Sequence, residues 1–291
     1  MIKVAVEGMT PTTVAWVRIT LGGLVLYAVL RSRGGRVGLD RTLARHFVLV
    51  AALGSVVPFT LLAWGEQRIT SALTAVLNAS TPLFTALLAG ATRQERLRPL
   101  QVAGLGVGLV GVAISAGLGA SDLTGSSIAG SLAAIAAGAC YGGAFVYGRQ
   151  NLVGIPPIAA ATGQLLAGAV ILAPVALATS AVDGVDLTWR RIGAIVLLGA
   201  VGTGLAFVLN YRIIGELGAT RASLVTYVIP VVAVVVGIAV LDEPFEWRLV
   251  LGGLVTIAGV AAVTVGRHSP TPAPTLAPAT ASSVAAAAAH R

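Results

Sequence analysis

Few polar side chains interrupt the apolar runs of this 291-residue chain, and their types restrict the chemistry available. Arg18 stands in VAWVRITLGGLVL, where a charge costs several kcal/mol unless it is paired or wet. A guanidinium can grip a carboxylate by two parallel hydrogen bonds. It can also snorkel toward a surface or pair with Glu7 or Glu66. Trp16, Tyr141, Gln164 and Tyr227 are candidate walls of a polar hollow around it. Asn78 in VLNASTPLFTAL is suited either to bonding a neighbouring helix or to facing a ligand. These groups can hold a small polar molecule; none is an activated nucleophile or a general base.

The side chains that cleave bonds or hold metals are not gathered. The three histidines are His46 near one end of a span and His268 and His290 near the C-terminus, and Cys140 is the lone cysteine. A hydrolase or phosphotransferase needs an assembled set, so the chain does not read as an enzyme, and no metal site or cofactor is expected. Gly106-Val-Gly108-Leu-Val-Gly111 fits a dinucleotide fingerprint, but it lies in an apolar span with no strand before it. Gly104 and Gly108 instead make a small-residue face for close helix packing, as Gly252, Gly253 and Gly259 do. Asn78-Ala79-Ser80 matches a glycosylation sequon that burial rules out.

Membrane helices must position these residues. The chain is 56% hydrophobic and 10% charged, against about a quarter charged in soluble domains. Roughly 20 apolar residues cross the hydrocarbon core, which predicts spans near 12–30, 47–65, 72–91, 100–118, 127–148, 157–179, 192–211, 220–241 and 249–266. Pro82 and Pro230 interrupt two of them, and a proline there frees a carbonyl and kinks the helix, tolerated beside other helices or a wet cavity. Trp64, Trp189 and Trp247 sit at span edges as interface anchors.

The net charge of +8 does not form a basic face for nucleic acid, because the charges are spread through short loops. Arg31, Arg33, Arg36, Arg41, Arg45, Arg93, Arg96, Arg98, Arg149, Arg212 and Arg221 fall in one alternate set of loops, and most acids fall in the other. The positive-inside rule puts the arginine-rich set and the C-terminus in the cytoplasm. Residues 267–291 are rich in Pro, Ala, Ser and Thr and are expected to form a disordered cytoplasmic tail.

Sliding the chain by 148 residues superposes Gly54 on Gly202, Phe59 on Phe207, Pro82 on Pro230, Glu95 on Glu243, Gly104 on Gly252 and Gly111 on Gly259. A shift of 146 aligns Pro11 with Pro157, Arg18 with Gln164 and Gly22 with Gly168. The expected fold is all-α and polytopic, with two inverted five-helix repeats over 1–119 and 120–266. Such repeats mark secondary transporters, whose sites lie near the midplane; a membrane scaffold or receptor that transports nothing is the alternative, and an intramembrane enzyme a remoter one. The counterpart of 127–146 would precede residue 1, and MIKVAV is too short to span a bilayer. The ten-helix arrangement therefore lacks most of helix 1, through a misassigned start or a true absence. No cleavable leader is expected in MIKVAVEGMTP.

IKVAVEGMTPTTVAWVRITLGGLVL, PLFTALLAG with QERLRPLQVAGLGVGLVGVAI, and IPVVAVVVGIAVLDEPFEWRLVLGGLVTIAGVAAV resemble, in order, the EamA family of the drug/metabolite transporter superfamily. The resemblance spans residues 1 to about 266. It implies ten helices and a multi-pass protein of the inner or plasma membrane that moves small metabolites, often amino acids, outward. It implies a small-molecule substrate and the lipid bilayer as partners, and a homodimer stays open. The family's aromatic-Gly pair in helix 1 is absent here, while the equivalent Tyr141-Gly142 is present.

Overall fold

A computed structural model describes residues 1–206 apart from 39, 94–96, 118–123, 153 and 187, together with 209, 232, 235, 236 and 246–265. Every regular element among the described residues is helical, and six helices are long and apolar enough to cross a membrane. After a single turn, α1 (Ile2–Val6), comes α2 (Pro11–Ser32). Thr10 starts α2 by accepting from the Thr13 amide, with Pro11 in the first turn, where its missing N–H has no helical partner to lose. Asp40 caps α3 (Arg41–Ala51) in the same way at 2.7 Å from the Leu43 amide.

Helix α3 runs without interruption through a π-helical stretch, Ala52–Val56, into α4 (Val57–Gly65). Pro58 lies at the start of α4 and removes one ladder donor just where the wider turn is used. Helix α7 is Pro99–Ser115, α8 is Gly125–Asn151 and α9 is Pro157–Asp183, with Pro174 inside it. Helix α10 (Trp189–Val196) passes into a second π-helical stretch, Leu197–Leu205, and α11 is Trp247–Val265. Shifted by 148 residues, the first π stretch falls inside the second.

The predicted spans over the described residues recur with ends moved by a few positions, most at the second span, where the helix starts at Arg41 rather than 47. The 72–91 span differs in kind. It is two helices, α5 (Ser71–Asn78) and α6 (Thr81–Ala91), and Pro82 does not bend a continuous helix but heads the second one. The break lies at Ala79-Ser80, where hydroxyls replace lost ladder donors: Ser80 Oγ donates to Leu77 O at 2.5 Å and Thr81 Oγ1 to Asn78 O at 2.7 Å. Trp189 and Trp247 are 88% and 69% exposed at the starts of α10 and α11. Glu95, Tyr227, Pro230, Glu243 and the 267–291 tail lie outside the described residues.

Two antiparallel helix pairs hold the molecule together. Along α2 and α9, Thr12 Oγ1 meets Thr179 Oγ1 at 2.8 Å, Thr13 Oγ1 donates to Ala176 O, and Trp16 Nε1 donates to Ala169 O. Along α7 and α11, Gln101 Nε2 donates to Val263 O near one end, and near the other Gly252 leaves room for Ser115. This second seam is backbone against backbone. A methyl on Gly104 would sit 2.8 Å from Gly259 O, and one on Gly259 would sit 2.6 Å from Gly104 O. Gly111 and Gly252 repeat this contact, with 2.7 Å in each direction. Adding and subtracting 148 exchanges the two pairs, so the seam maps onto itself.

Candidate substrate site

Helix α2 carries Arg18 on its second turn from the N-terminus, flanked by the buried Ala15 and Ile19. Its Nε donates to Thr203 Oγ1 at 2.8 Å, and its Cζ lies 3.8 Å from the Phe59 ring centroid. Such a cation–π contact contributes about 2 kcal/mol when desolvated. Phe59 in turn meets Tyr141 edge to face, with centroids 6.2 Å apart. Arg18 makes no salt bridge to Glu7 or Glu66 among the described residues, although Glu66 is near enough to act on its charge: Glu7 stands 4.0 Å from Arg190, and Glu66 accepts from Ser71 Oγ. The direct contacts of the guanidinium are therefore a hydroxyl and an aromatic face.

Gln164, on α9, makes a bond of the same form. Its Nε2 donates to Ser55 Oγ at 2.9 Å. A methyl on Gly54 would sit 2.7 Å from that nitrogen, so the missing Cβ admits the amide. Ser55 and Thr203 are both fully buried, and both sit in π-helical stretches. Thr203 Oγ1 in turn donates a hydrogen bond to Leu198 O, five residues back, at 3.1 Å.

The other expected site residues divide. Tyr141 joins the Arg18 group through Phe59, and it packs against both the cluster around Leu77 and Ala137 and the one around Ile19 and Leu165. The indole N–H of Trp16 is used by Ala169 O, next to the carbonyl that Pro174 leaves without its ladder donor. Asn78 is not hydrogen-bonded to Arg18 or Gln164; its Oδ1 is buried without a donor at the α5–α6 break. No three His, Cys, Asp or Glu side chains gather to hold a metal ion among the described residues.

Two cavities open elsewhere. One of about 630 Å³ is lined by Glu7, Thr10, Gln67 and Asp186, and one of about 420 Å³ by Thr124, Ser131, Trp247 and Arg248. Neither is lined by Arg18.

Sequence reasoning passed over Ser55, Phe59 and Thr203. Phe59 carried a signal, since it superposes on Phe207 under the 148 shift. Ser55 and Thr203 superpose as well, hydroxyl on hydroxyl.

The sequence profile of the EamA-like transporter family matches this chain twice, over residues 1–117 and 128–265. The chain belongs to the EamA-like transporter family. Like that family, it is a multi-pass membrane transporter of small molecules. A similar relative is YoaV of Bacillus subtilis (strain 168), an uncharacterized transporter, 23% identical over 89% of this chain and 88% of that one. The probable terminal-alkyne amino-acid exporter of Streptantibioticus cattleyicolor is 28% identical over 92% of this chain and 89% of that one. YedA, an uncharacterized inner membrane transporter of Escherichia coli (strain K12), is 27% identical over 96% and 89%. One protein crystal structure has the same fold, with a TM-score of 0.62, 22% identity, and 88% and 89% of the two chains covered. These family and relative names are those of transporters rather than enzymes.

Proposed function

We propose that this EamA-like protein is a secondary carrier that exports amino acids or related small metabolites by alternating access. Two inverted units, 1–119 and 120–266, would rock about a site at the crossing of α2 and α9. Arg18, Gln164, Trp16 and Tyr141 line that site in this reading, with Asn78 and Tyr227 completing it. Residues 267–291 form a cytoplasmic tail, and the protein lies in the inner or plasma membrane.

One observation carries this reading. The bond from Arg18 to Thr203 and the bond from Gln164 to Ser55 exchange under the repeat offsets, each joining one half of the chain to the other. Antiparallel packing of equivalent helices, α2 on α9 and α7 on α11, agrees with units that run oppositely through the bilayer. Polar contacts between the halves are then the ones that change as the halves rock. The amino-acid assignment draws on the Streptantibioticus relative, whose name is that of an amino-acid exporter.

Counterflow in proteoliposomes tests it. Full-length protein loaded with a mixture of unlabelled amino acids should accumulate labelled amino acids well above protein-free vesicles. Flux equal to that of empty vesicles, from protein shown to be folded and inserted, defeats the proposal.

A further inference from the structure

We propose that the end of α2 and the start of α3 form a docking surface for anionic phospholipid, with Arg31, Arg41 and Arg45 holding the head-group phosphates. This surface goes beyond the carrier reading and stands whether or not the protein moves amino acids.

Between residues 31 and 45 the chain holds five arginines, Arg31, Arg33, Arg36, Arg41 and Arg45, against one acid, Asp40. That acid is engaged in capping α3, with Oδ1 2.7 Å from the Leu43 amide. All five arginines are exposed, and among the described residues none of them forms an ion pair. Arginines in the alternate set of loops are placed otherwise. Arg190 stands 4.0 Å from Glu7, Arg191 pairs with Asp186, and Arg248 pairs with Glu246. Cationic charge there is met within the protein; at the α2–α3 end it is left for an outside anion.

Direction matters more than number. Arg41, Arg45, Val48 and Leu49 follow i, i+4, i+7 and i+8, so they share one face of α3. Val48 and Leu49 are 43% and 41% exposed, and on a membrane span such a face lies against lipid tails. The two guanidiniums therefore continue the lipid-facing stripe. At 1.5 Å per residue Arg45 is about 6 Å along the axis from Leu49, and a flexible stem carries its charge on to the head groups. Leu24, Tyr27 and Arg31 repeat the arrangement on α2 at i, i+3 and i+7, all exposed. Tyr27 stands one turn before Arg31, at the depth where aromatic rings anchor a span.

The repeat supplies an internal comparison. Shifted by 148, Arg41, Arg45, Val48 and Leu49 fall on Trp189, Gly193, Val196 and Leu197, and these are exposed as well. The apolar pair is kept residue for residue, while two arginines give way to tryptophan and glycine. Contact with lipid tails is common to both faces; cationic contact belongs to one. The positive-inside rule puts the 31–45 loop at the cytoplasmic leaflet, which carries the negative surface potential. Guanidiniums one turn apart can each grip a phosphate by parallel N–H bonds. A soluble phosphate would meet the same arginines but gain nothing from the apolar stripe beside them, which a lipid tail covers.

Site-specific quenching in vesicles tests this. In full-length protein with Cys140→Ala, a fluorophore is attached at Val48→Cys or, separately, at Val196→Cys. Each is titrated with phosphatidylglycerol or phosphatidylcholine carrying brominated tails. Near position 48 phosphatidylglycerol should be favoured at least about 5-fold, the effect of one arginine at a membrane surface. Near position 196 the two lipids should quench alike. Arg41→Gln with Arg45→Gln should abolish the preference, whereas Arg33→Gln with Arg36→Gln, which removes the same charge from the loop, should keep most of it. The two probe positions are compared with all arginines present, so misfolding of a glutamine variant does not remove the test. No preference at 48, or the same preference at 196, overturns the proposal. Equal losses from the two arginine pairs also overturn it, since net charge rather than the α3 face would then attract the lipid.

Discussion

Thr203 holds Arg18 from the opposite half of the chain, accepting from its Nε at 2.8 Å, and Ser55 holds Gln164 in the equivalent place at 2.9 Å. Bonds to a charged donor contribute about 1.5–3 kcal/mol and neutral ones about 0.5–1.5 kcal/mol. A double-mutant cycle on stability with Arg18→Gln and Thr203→Val should therefore show coupling in the higher range. The cycle with Gln164→Leu and Ser55→Ala should fall in the lower, and Thr203→Ser should restore most of the first. Coupling near zero in both would mean that these bonds do not join the halves.

The α7–α11 seam sets a second expectation. A methyl at Gly259 would lie 2.3 Å from the Gly108 amide nitrogen, and one at Gly111 would lie 2.3 Å from that of Thr256. Backbone cannot step aside, so Gly259→Ala and Gly111→Ala should each destabilise by at least about 1–3 kcal/mol. Gly106 has nothing within 4 Å of its would-be methyl. Gly106→Ala should be neutral or stabilise by up to about 1 kcal/mol. Melting temperatures in detergent separate the three variants.

Pro82 stands in the first turn of α6. There its missing N–H has no helical partner, so Pro82→Ala should change stability by less than about 1 kcal/mol and leave the α5–α6 break in place. Spin-label distances between positions 75 and 87 check the break directly. A lengthening toward that of one straight helix would show that proline alone makes it.

Because α7 and α11 pack antiparallel, their N-terminal flanks should emerge on opposite sides of the bilayer. In a Cys140→Ala background, cysteines placed at Arg98 and Arg248 should react with an impermeant thiol reagent from opposite faces of sealed vesicles. Labelling of both from one face contradicts the inverted arrangement.

Midway along α3, His46 Nδ1 and Tyr147 Oη lie 2.7 Å apart, joining that helix to the far end of α8. Tyr147→Phe removes the bond and keeps the ring. We expect a loss of about 1 kcal/mol in stability, read by thermal unfolding.

The long apolar runs made most helices legible, because about 20 apolar residues have few other uses. Proline marked the interrupted 72–91 span, but the break itself is made by Ser80 and Thr81, whose hydroxyls accept the role of ladder donors. The two π-helical stretches left no trace in the pattern, since a single wide turn leaves an all-apolar face unchanged. Ser55 and Thr203 were hidden for a related reason. Hydroxyls in apolar helices commonly bond their own backbone, as Thr60, Thr85 and Thr162 do here. Only tertiary contact with Gln164 and Arg18 distinguishes them. Arg18 itself was legible as a charge in an apolar span, but its aromatic and hydroxyl support depended on which way α4 and the second π-helical stretch turned their sides.

The glycine seam has a consequence for how such a sequence can drift. Each contact there recurs at its mirror position, so bulk gained in either half presses on the other, and neither can be retailored alone. The two halves are free to diverge at Arg18 and Gln164 because at Gly104, Gly111, Gly252 and Gly259 they are held to a shared template.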